Sequence, residues 1–231
     1  MWPIISQGKD CFAVDSCAII SAMLTKSIKR IVKRGLSLAR PISIQRRISL
    51  GDAPFSIISD DCWGSEVYNE FQRPYNTPFI DTLVPLPDFI RLANDFRRIV
   101  TSPIRFVERS KWDAQWPDSR MGPIALLDDD VEIQFRHYKS QSEVLAKWNR
   151  RLARLDFDHV FFKMTGENNA FIKEEYAAFD KLETPRKIAF SRSSEPYKSC
   201  VWIPQNVYEV DGKKLYNVST RYFDLVEWLK R

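Results

Sequence analysis

Between Phe55 and Tyr68 the chain changes its hydrophobic period, and that switch constrains the fold more than any other feature. Phe55-Ser56-Ile57-Ile58-Ser59 reads as a strand, Asp60-Asp61-Cys62 as a turn, and Trp63-Gly64-Ser65-Glu66-Val67-Tyr68 as the opening of a helix. In an α/β protein this order sets the turn at the carboxyl edge of the sheet, where open sheets bind their ligands. The helix that follows lends its positive end to Cys62, and a thiol at a helix N-terminus ionises more readily than a free one.

Strand and helix patterns keep alternating downstream. Pro87 and Asp88 open a helix over 87–100 with Phe89, Leu92, Phe96, Ile99 and Val100 on one face, and residues 124–127 and 131–135 read as strands. Ser140 and Glu143 form a capping box for a helix over 141–155. Residues 158–164 and 186–191 read as strands around a helix at 172–182, residues 200–203 as a further strand, and Ser219 or Thr220 as the cap of a last helix ending at Leu229. The aperiodic segment 112–123 reads as a loop able to cover a site. This alternation predicts an α/β three-layer sandwich built on a largely parallel sheet.

The first 49 residues are of a different kind. Over 16–39 the residues Ile19, Ile20, Met23, Leu24, Ile28, Ile31, Val32 and Leu36 recur at helical spacing among cations. Lys26, Lys29, Arg30, Lys33, Arg34, Arg40, Arg46 and Arg47 follow one another with no acidic residue between them, so the modest net charge of +5 is concentrated locally. Such a basic amphipathic helix suits peripheral contact with an anionic membrane or a solvated domain surface, and nothing near it resembles a nucleic-acid recognition motif. Pro41 ends it in this reading, Gly51 to Pro54 break the chain, and 50–231 form a single α/β domain.

Composition narrows the function classes. With 44% hydrophobic residues in 231 the chain can bury one sizeable core, and its apolar runs fall far short of the roughly 20 residues that span a bilayer. The short apolar stretch near Cys17 precedes its basic residues, the reverse of a secretion signal, and the four irregularly spaced cysteines suggest neither a disulfide framework nor a zinc motif. A cytoplasmic protein is expected. Seven glycines, none in a phosphate-cradling arrangement, argue against a dinucleotide or P-loop site.

Only His137 and His159 are available for histidine-dependent chemistry. His137 lies between a strand and a capped helix, again a sheet-edge position, so it can meet Cys62 if the two strands are near neighbours. Imidazole would then take the thiol proton for acyl transfer, with Asp61 orienting the ring; His159, at the start of an apolar strand, reads as structural. Asp128, Asp129 and Asp130 form either a turn or a divalent-cation site for glycosyl transfer from a sugar nucleotide. Lys147, Arg150, Arg151 and Arg154 make a stripe suited to an anionic donor, since guanidinium groups hold phosphate in bidentate fashion.

Three blocks together carry a resemblance: Phe55 to Gly64, Tyr75-Asn76-Thr77-Pro78-Phe79, and His137-Tyr138-Lys139-Ser140 with Glu143, Trp148 and Arg151. They resemble the bacterial family labelled exopolysaccharide biosynthesis protein (domain of unknown function nineteen-nineteen), over about 55–190. The resemblance implies a cytoplasmic three-layer α/β protein, a transferase of unsettled reaction acting on a carbohydrate or lipid-linked glycan. The family pattern usually has Asn at one of Asp60 and Asp61 and Gly at Ser65, so this chain carries extra negative charge beside the thiol, which raises its pKa. The expected centre is Cys62, His137 and Asp61, with Asp60, Trp63, Asn76, Arg136, Tyr138, Arg150, Arg151 and Arg154 binding substrate; no metal ligand is assigned and no cofactor is identified. Metal-assisted glycosyl transfer through Asp128 and Asp130, and a non-enzymatic accessory role, are the alternatives.

Overall fold

The computed structural model describes residues 41–114, 122–165, 173–191, 196–204 and 212–231. The amphipathic helix expected over 16–39 and most of the loop at 112–123 lie outside the described residues. The chain divides into two units, Met1–Gln45 and Arg46–Arg231. A helix, α1, is described over Pro41–Leu50; the expected end of the preceding helix at Pro41 depends on residues outside the described ones.

The second unit supplies the expected alternation. Its elements in chain order are β1 (Ser56–Ser59), α2 (Trp63–Phe71), α3 (Leu86–Asn94), α4 (Phe96–Val100), β2 (Ile104–Val107), β3 (Ile124–Leu127), β4 (Val131–Gln134), α5 (Gln141–Leu152), β5 (Val160–Thr165), α6 (Lys173–Asp180), β6 (Lys187–Ser191), β7 (Cys200–Trp202), α7 (Gly212–Ser219) and α8 (Leu225–Leu229). Among the described residues, β1, β5, β6 and β7 form a parallel sheet in the order β1-β5-β6-β7, and β2, β3 and β4 form a smaller antiparallel one.

The parallel sheet is covered on both faces, as parallel sheets are. Ile57, Phe161, Ile188 and Phe190 face a core shared with Trp63 and Val67 of α2, Leu215 of α7 and Trp228 of α8. Their sequence neighbours Ile58, Phe162 and Ala189 face the opposite core, with Phe89 of α3, Trp148 of α5, Phe179 of α6 and the inner side of the antiparallel sheet. The two-residue period of a strand makes that sorting automatic, and burying each Phe contributes about 2–3 kcal/mol.

Three local expectations are corrected. The helix over 87–100 is two helices broken at Asp95, whose backbone leaves the helical region at φ −135°. The strand β2 was not anticipated, because Ile104 to Val107 is only half-buried and shows no alternation. Ser219 ends α7 instead of capping the last helix; its hydroxyl accepts from Trp63 Nε1 at 3.0 Å, and Asp224 caps α8 through the amides of Val226 and Glu227.

Candidate functional site

Two carboxylates leave β1 at the carboxyl edge and share one cation. Lys163, fully buried in the apolar strand β5, places Nζ 2.6 Å from Asp61 Oδ2 and 3.2 Å from Asp60 Oδ1. The β1–β5 register, Ser59 opposite Lys163, sets the lysine beside the turn. Asp61 also accepts from Ser59 Oγ at 3.0 Å and from the Trp63 amide at 2.8 Å, so it caps α2 from the residue before the cap position. Lys163 and these bonds hold the Asp61 carboxyl below the ordinary carboxylate value against the desolvation of its half-buried site. Asp60 accepts from the Thr165 amide at 2.9 Å, yet burial, helped by the negative charge of Asp61 and opposed by Lys163, pushes it up to about 7.

The loop from Ile80 to Val84 splices the two sheets together. Val84 N–H donates to the Asp60 carbonyl at 2.8 Å on one side, while Leu83 and Gln134 exchange a pair of 2.9 Å backbone bonds on the other. Arg136 N–H donates to the Asp81 carbonyl at 3.1 Å, and Tyr138 Oη donates to the Ile80 carbonyl at 2.9 Å. Held at both ends, Asp81 takes a left-handed conformation at φ +60°, a sparsely populated region for a non-glycine residue. Gly122 fixes the other side. Its φ is +105° and a Cβ there would lie 2.1 Å from the Phe135 carbonyl oxygen, so only glycine lets that strand approach the Phe135–Tyr138 turn.

This splice brings three chemical groups together. The ligating atoms of Cys62, Asp81 and His137 all lie within 4.8 Å of one another, with the thiol and carboxylate half-buried and the imidazole exposed. The meeting of Cys62 with His137 expected from their sheet-edge positions is therefore present. The third member differs: Asp81 stands beside the imidazole, whereas both oxygens of Asp61 are engaged by Ser59, Trp63 and Lys163. Asp81 was missed because it lies in a loop with no periodicity, and its role depends on a pairing between distant segments. A lysine inside an otherwise apolar strand was the one sequence signal for Lys163.

The expectation of a readily ionised thiol is overturned. Burial, then the negative charges of Asp61 and Asp81, push Cys62 up to about 12, and Arg136 and Lys163 only partly oppose them. Cys62 does stand at the cap position of α2, but desolvation outweighs the helix end. The first described residue of α7 packs against the backbone of this turn: a Cβ on Gly212 would lie 2.6 Å from the Cys62 carbonyl carbon.

The proposed substrate-binding residues separate into two groups. Trp63 is fully buried against Phe190, Tyr216, Phe223 and Trp228, and Asn76 joins Tyr68 Oη to the Phe55 carbonyl, so both are occupied in packing. Tyr138 is buried, with its hydroxyl accepting from Arg151 Nη1 at 2.6 Å. Arg151 is itself buried over the Tyr75 ring, because it falls three residues after Trp148 and turns inward; the basic stripe is thus interrupted, and Arg150 and Arg154 remain exposed. Arg136 lies at the cluster, and its buried Nε has no hydrogen-bond partner among the described residues.

Asp128, Asp129 and Asp130 form the turn between β3 and β4, with Asp128 and Asp129 left-handed. Arg98 pairs with Asp128 at 2.7 Å, Arg105 with Asp129 at 2.6 Å, and Arg91 and Lys111 with Asp130. Each carboxylate that the alternative reading offers to a divalent cation is thus already paired with at least one basic side chain. His159 bonds Asp156 at 2.8 Å, a local structural contact.

The family model described as Domain of unknown function (DUF1919) matches residues 36–230, and an uncharacterized protein of Haemophilus influenzae is 29% identical over 198 residues, spanning 80% of this chain and 88% of the relative.

Proposed function

The chain belongs to the DUF1919 family, a domain of unknown function, and from that premise we propose that it is an acyltransferase whose nucleophile is Cys62, with His137 as general base and Asp81 as the residue that orients the imidazole. The single observation that carries this reading is the convergence of the three groups within 4.8 Å at the carboxyl edge of the sheet. The thiol is protonated at rest, so the nucleophile is generated only as His137 removes its proton. Sγ attacks the donor's acyl carbonyl, and the leaving group departs with the proton held by His137. An acceptor hydroxyl then loses its proton to His137, attacks the thioester and regenerates the thiol. Arg136, whose positive charge acts on the thiol and whose Nε has no partner among the described residues, suits the developing oxyanion.

We further propose a carbohydrate or lipid-linked glycan as acceptor, on the cytoplasmic side of surface-polysaccharide assembly. This rests on the resemblance of the three sequence blocks to proteins so labelled, and the run of cations over 26–47 supports contact with an anionic membrane surface. Among the described residues no helix is long and apolar enough to cross a membrane. Exposed Arg150 and Arg154 are the cations available for an anionic donor.

Intact-mass analysis after incubation with p-nitrophenyl acetate, followed by peptide mapping, tests the reaction. One acetyl group on Cys62, lost in Cys62→Ser and at least tenfold slower in His137→Gln, is the expected result. Unmodified Cys62 in the wild type removes the thiol from the mechanism.

A further inference from the structure

The three atoms that converge at the sheet edge are also a coherent metal-ligand set. One sulfur, one carboxylate oxygen and one imidazole nitrogen lie within 4.8 Å of one another, and they come from three separate segments: the turn after β1, the splice loop, and the turn after β4. Each backbone is tied down. The Cys62 carbonyl accepts from Ser65 Oγ at 2.7 Å, the Asp81 carbonyl from the Arg136 amide at 3.1 Å, and Gly122 packs under the Phe135 carbonyl that begins the His137 turn. Such pre-organisation lowers the cost of assembling a site, because the chain segments are already ordered.

We infer that Cys62, Asp81 and His137 bind one thiophilic divalent cation of the Zn²⁺ class, and that the loaded cluster is a stored, transfer-inactive form of the site. The charges match: a thiolate and a carboxylate offset the two positive charges, while imidazole binds neutral. The donor types select the metal, since sulfur and imidazole suit Zn²⁺ and leave Mg²⁺ and Ca²⁺, which require oxygen ligands, excluded. Tetrahedral zinc with bonds of about 2.0–2.3 Å sets its ligand atoms about 3.3–3.7 Å apart. Closing from 4.8 Å takes rotamer adjustment of side chains, of which the exposed His137 is the freest.

Loading is a simple exchange. The metal takes the lone pairs of Sγ, a carboxylate oxygen and a ring nitrogen; the thiol proton passes to solvent; no redox change occurs. With sulfur and imidazole both coordinated, neither nucleophile nor base is free. The storage role rests on the reading of Cys62 as the transfer nucleophile; the ligand set does not.

The test uses the full chain carrying Cys11→Ser and Cys17→Ser, stripped of metal and titrated with Zn²⁺ against a chromogenic chelator, with Mg²⁺ in parallel. One Zn²⁺ per chain, no Mg²⁺, and at least tenfold weaker binding in both Asp81→Asn and His137→Gln are expected, with thermal melting confirming that each variant is folded. Bound zinc should also protect Cys62 from iodoacetamide. Absence of zinc binding, or equal affinity in folded Asp81→Asn and His137→Gln, overturns the ligand set. Acetylation of Cys62 by p-nitrophenyl acetate that stops on loading and returns with chelator supports the storage role. Zinc held by the three residues, with Cys62 never acetylated in either state, sinks the storage role and the acyl-transfer reading while the ligand set stands.

Discussion

Val84 donates its amide hydrogen to the carbonyl of Asp60 across 2.8 Å, and this bond is one side of the seam between the parallel and antiparallel sheets. The other side is the paired exchange between Leu83 and Gln134. Asp81 sits just upstream of both, so its position at Cys62 and His137 follows from backbone hydrogen bonding rather than from any local preference of its own.

Asp81→Gly should separate the side chain from its conformation. Glycine adopts φ +60° without the penalty of about 1–2 kcal/mol that a Cβ carries there. Stability by urea denaturation is expected to stay within about 1 kcal/mol of wild type, while acetylation of Cys62 falls at least tenfold. Unchanged acetylation would show that the Asp81 carboxylate plays no part.

Lys163→Met should be among the most damaging single changes, destabilising by about 3–5 kcal/mol, because it leaves buried Asp60 and half-buried Asp61 without their shared cation. Adding Asp60→Asn and Asp61→Asn to it should recover part of the loss. Chemical denaturation of the single and triple variants measures both; equal stability of the two would mean the charge network contributes little.

Asp60 makes stability depend on pH. An unfolded chain releases this proton near 3.8, and the folded chain keeps it until about 7. The raised value therefore contributes stability that is complete below pH 3.8 and is lost as the pH rises to about 7, with a slope of at most about 1.4 kcal/mol per pH unit. Asp61, shifted the other way, contributes stability above its ordinary value and loses it in acid. In urea denaturation with chelator present, Asp60→Asn should remove the decline between pH 4 and 7 relative to wild type. Parallel stability curves for the two proteins would refute the raised value.

Gly122→Ala should cost several kcal/mol, on the order of 3, since its Cβ would strike a backbone oxygen at a left-handed position. Differential scanning calorimetry should show a clearly lowered Tm, and a drop under about one degree would mean that the Phe135–Tyr138 turn relaxes freely.

Replacing Asp128, Asp129 and Asp130 together by Asn should leave Zn²⁺ affinity and Cys62 acetylation unchanged. Its effect on stability should be about 1 kcal/mol per lost surface pair at most. Loss of acetylation in this variant would return the acidic turn to the mechanism.

Local pattern alone determined the α/β alternation, the turn after β1, the capping box at Ser140, where the Glu143 amide donates to the Ser140 hydroxyl, and the placing of Cys62 and His137 at sheet edges. These are properties of neighbouring residues: a two- or 3.6-residue period and the hydrogen bonds of a few adjacent groups decide them. Arg151 turning inward and Lys163 buried between two aspartates were less legible, because the same residue types usually sit in water and only the packing around them says otherwise. Tertiary structure alone decided which carboxylate stands at the imidazole and whether the thiol ionises. Asp61 is nearer to Cys62 in sequence, but Lys163 from β5 engages it, and the splice between sheets brings Asp81 in its place. Burial then overrides the helix end at the sulfur, since the cost of desolvating a charge depends on everything that surrounds it, and no run of neighbouring residues records that.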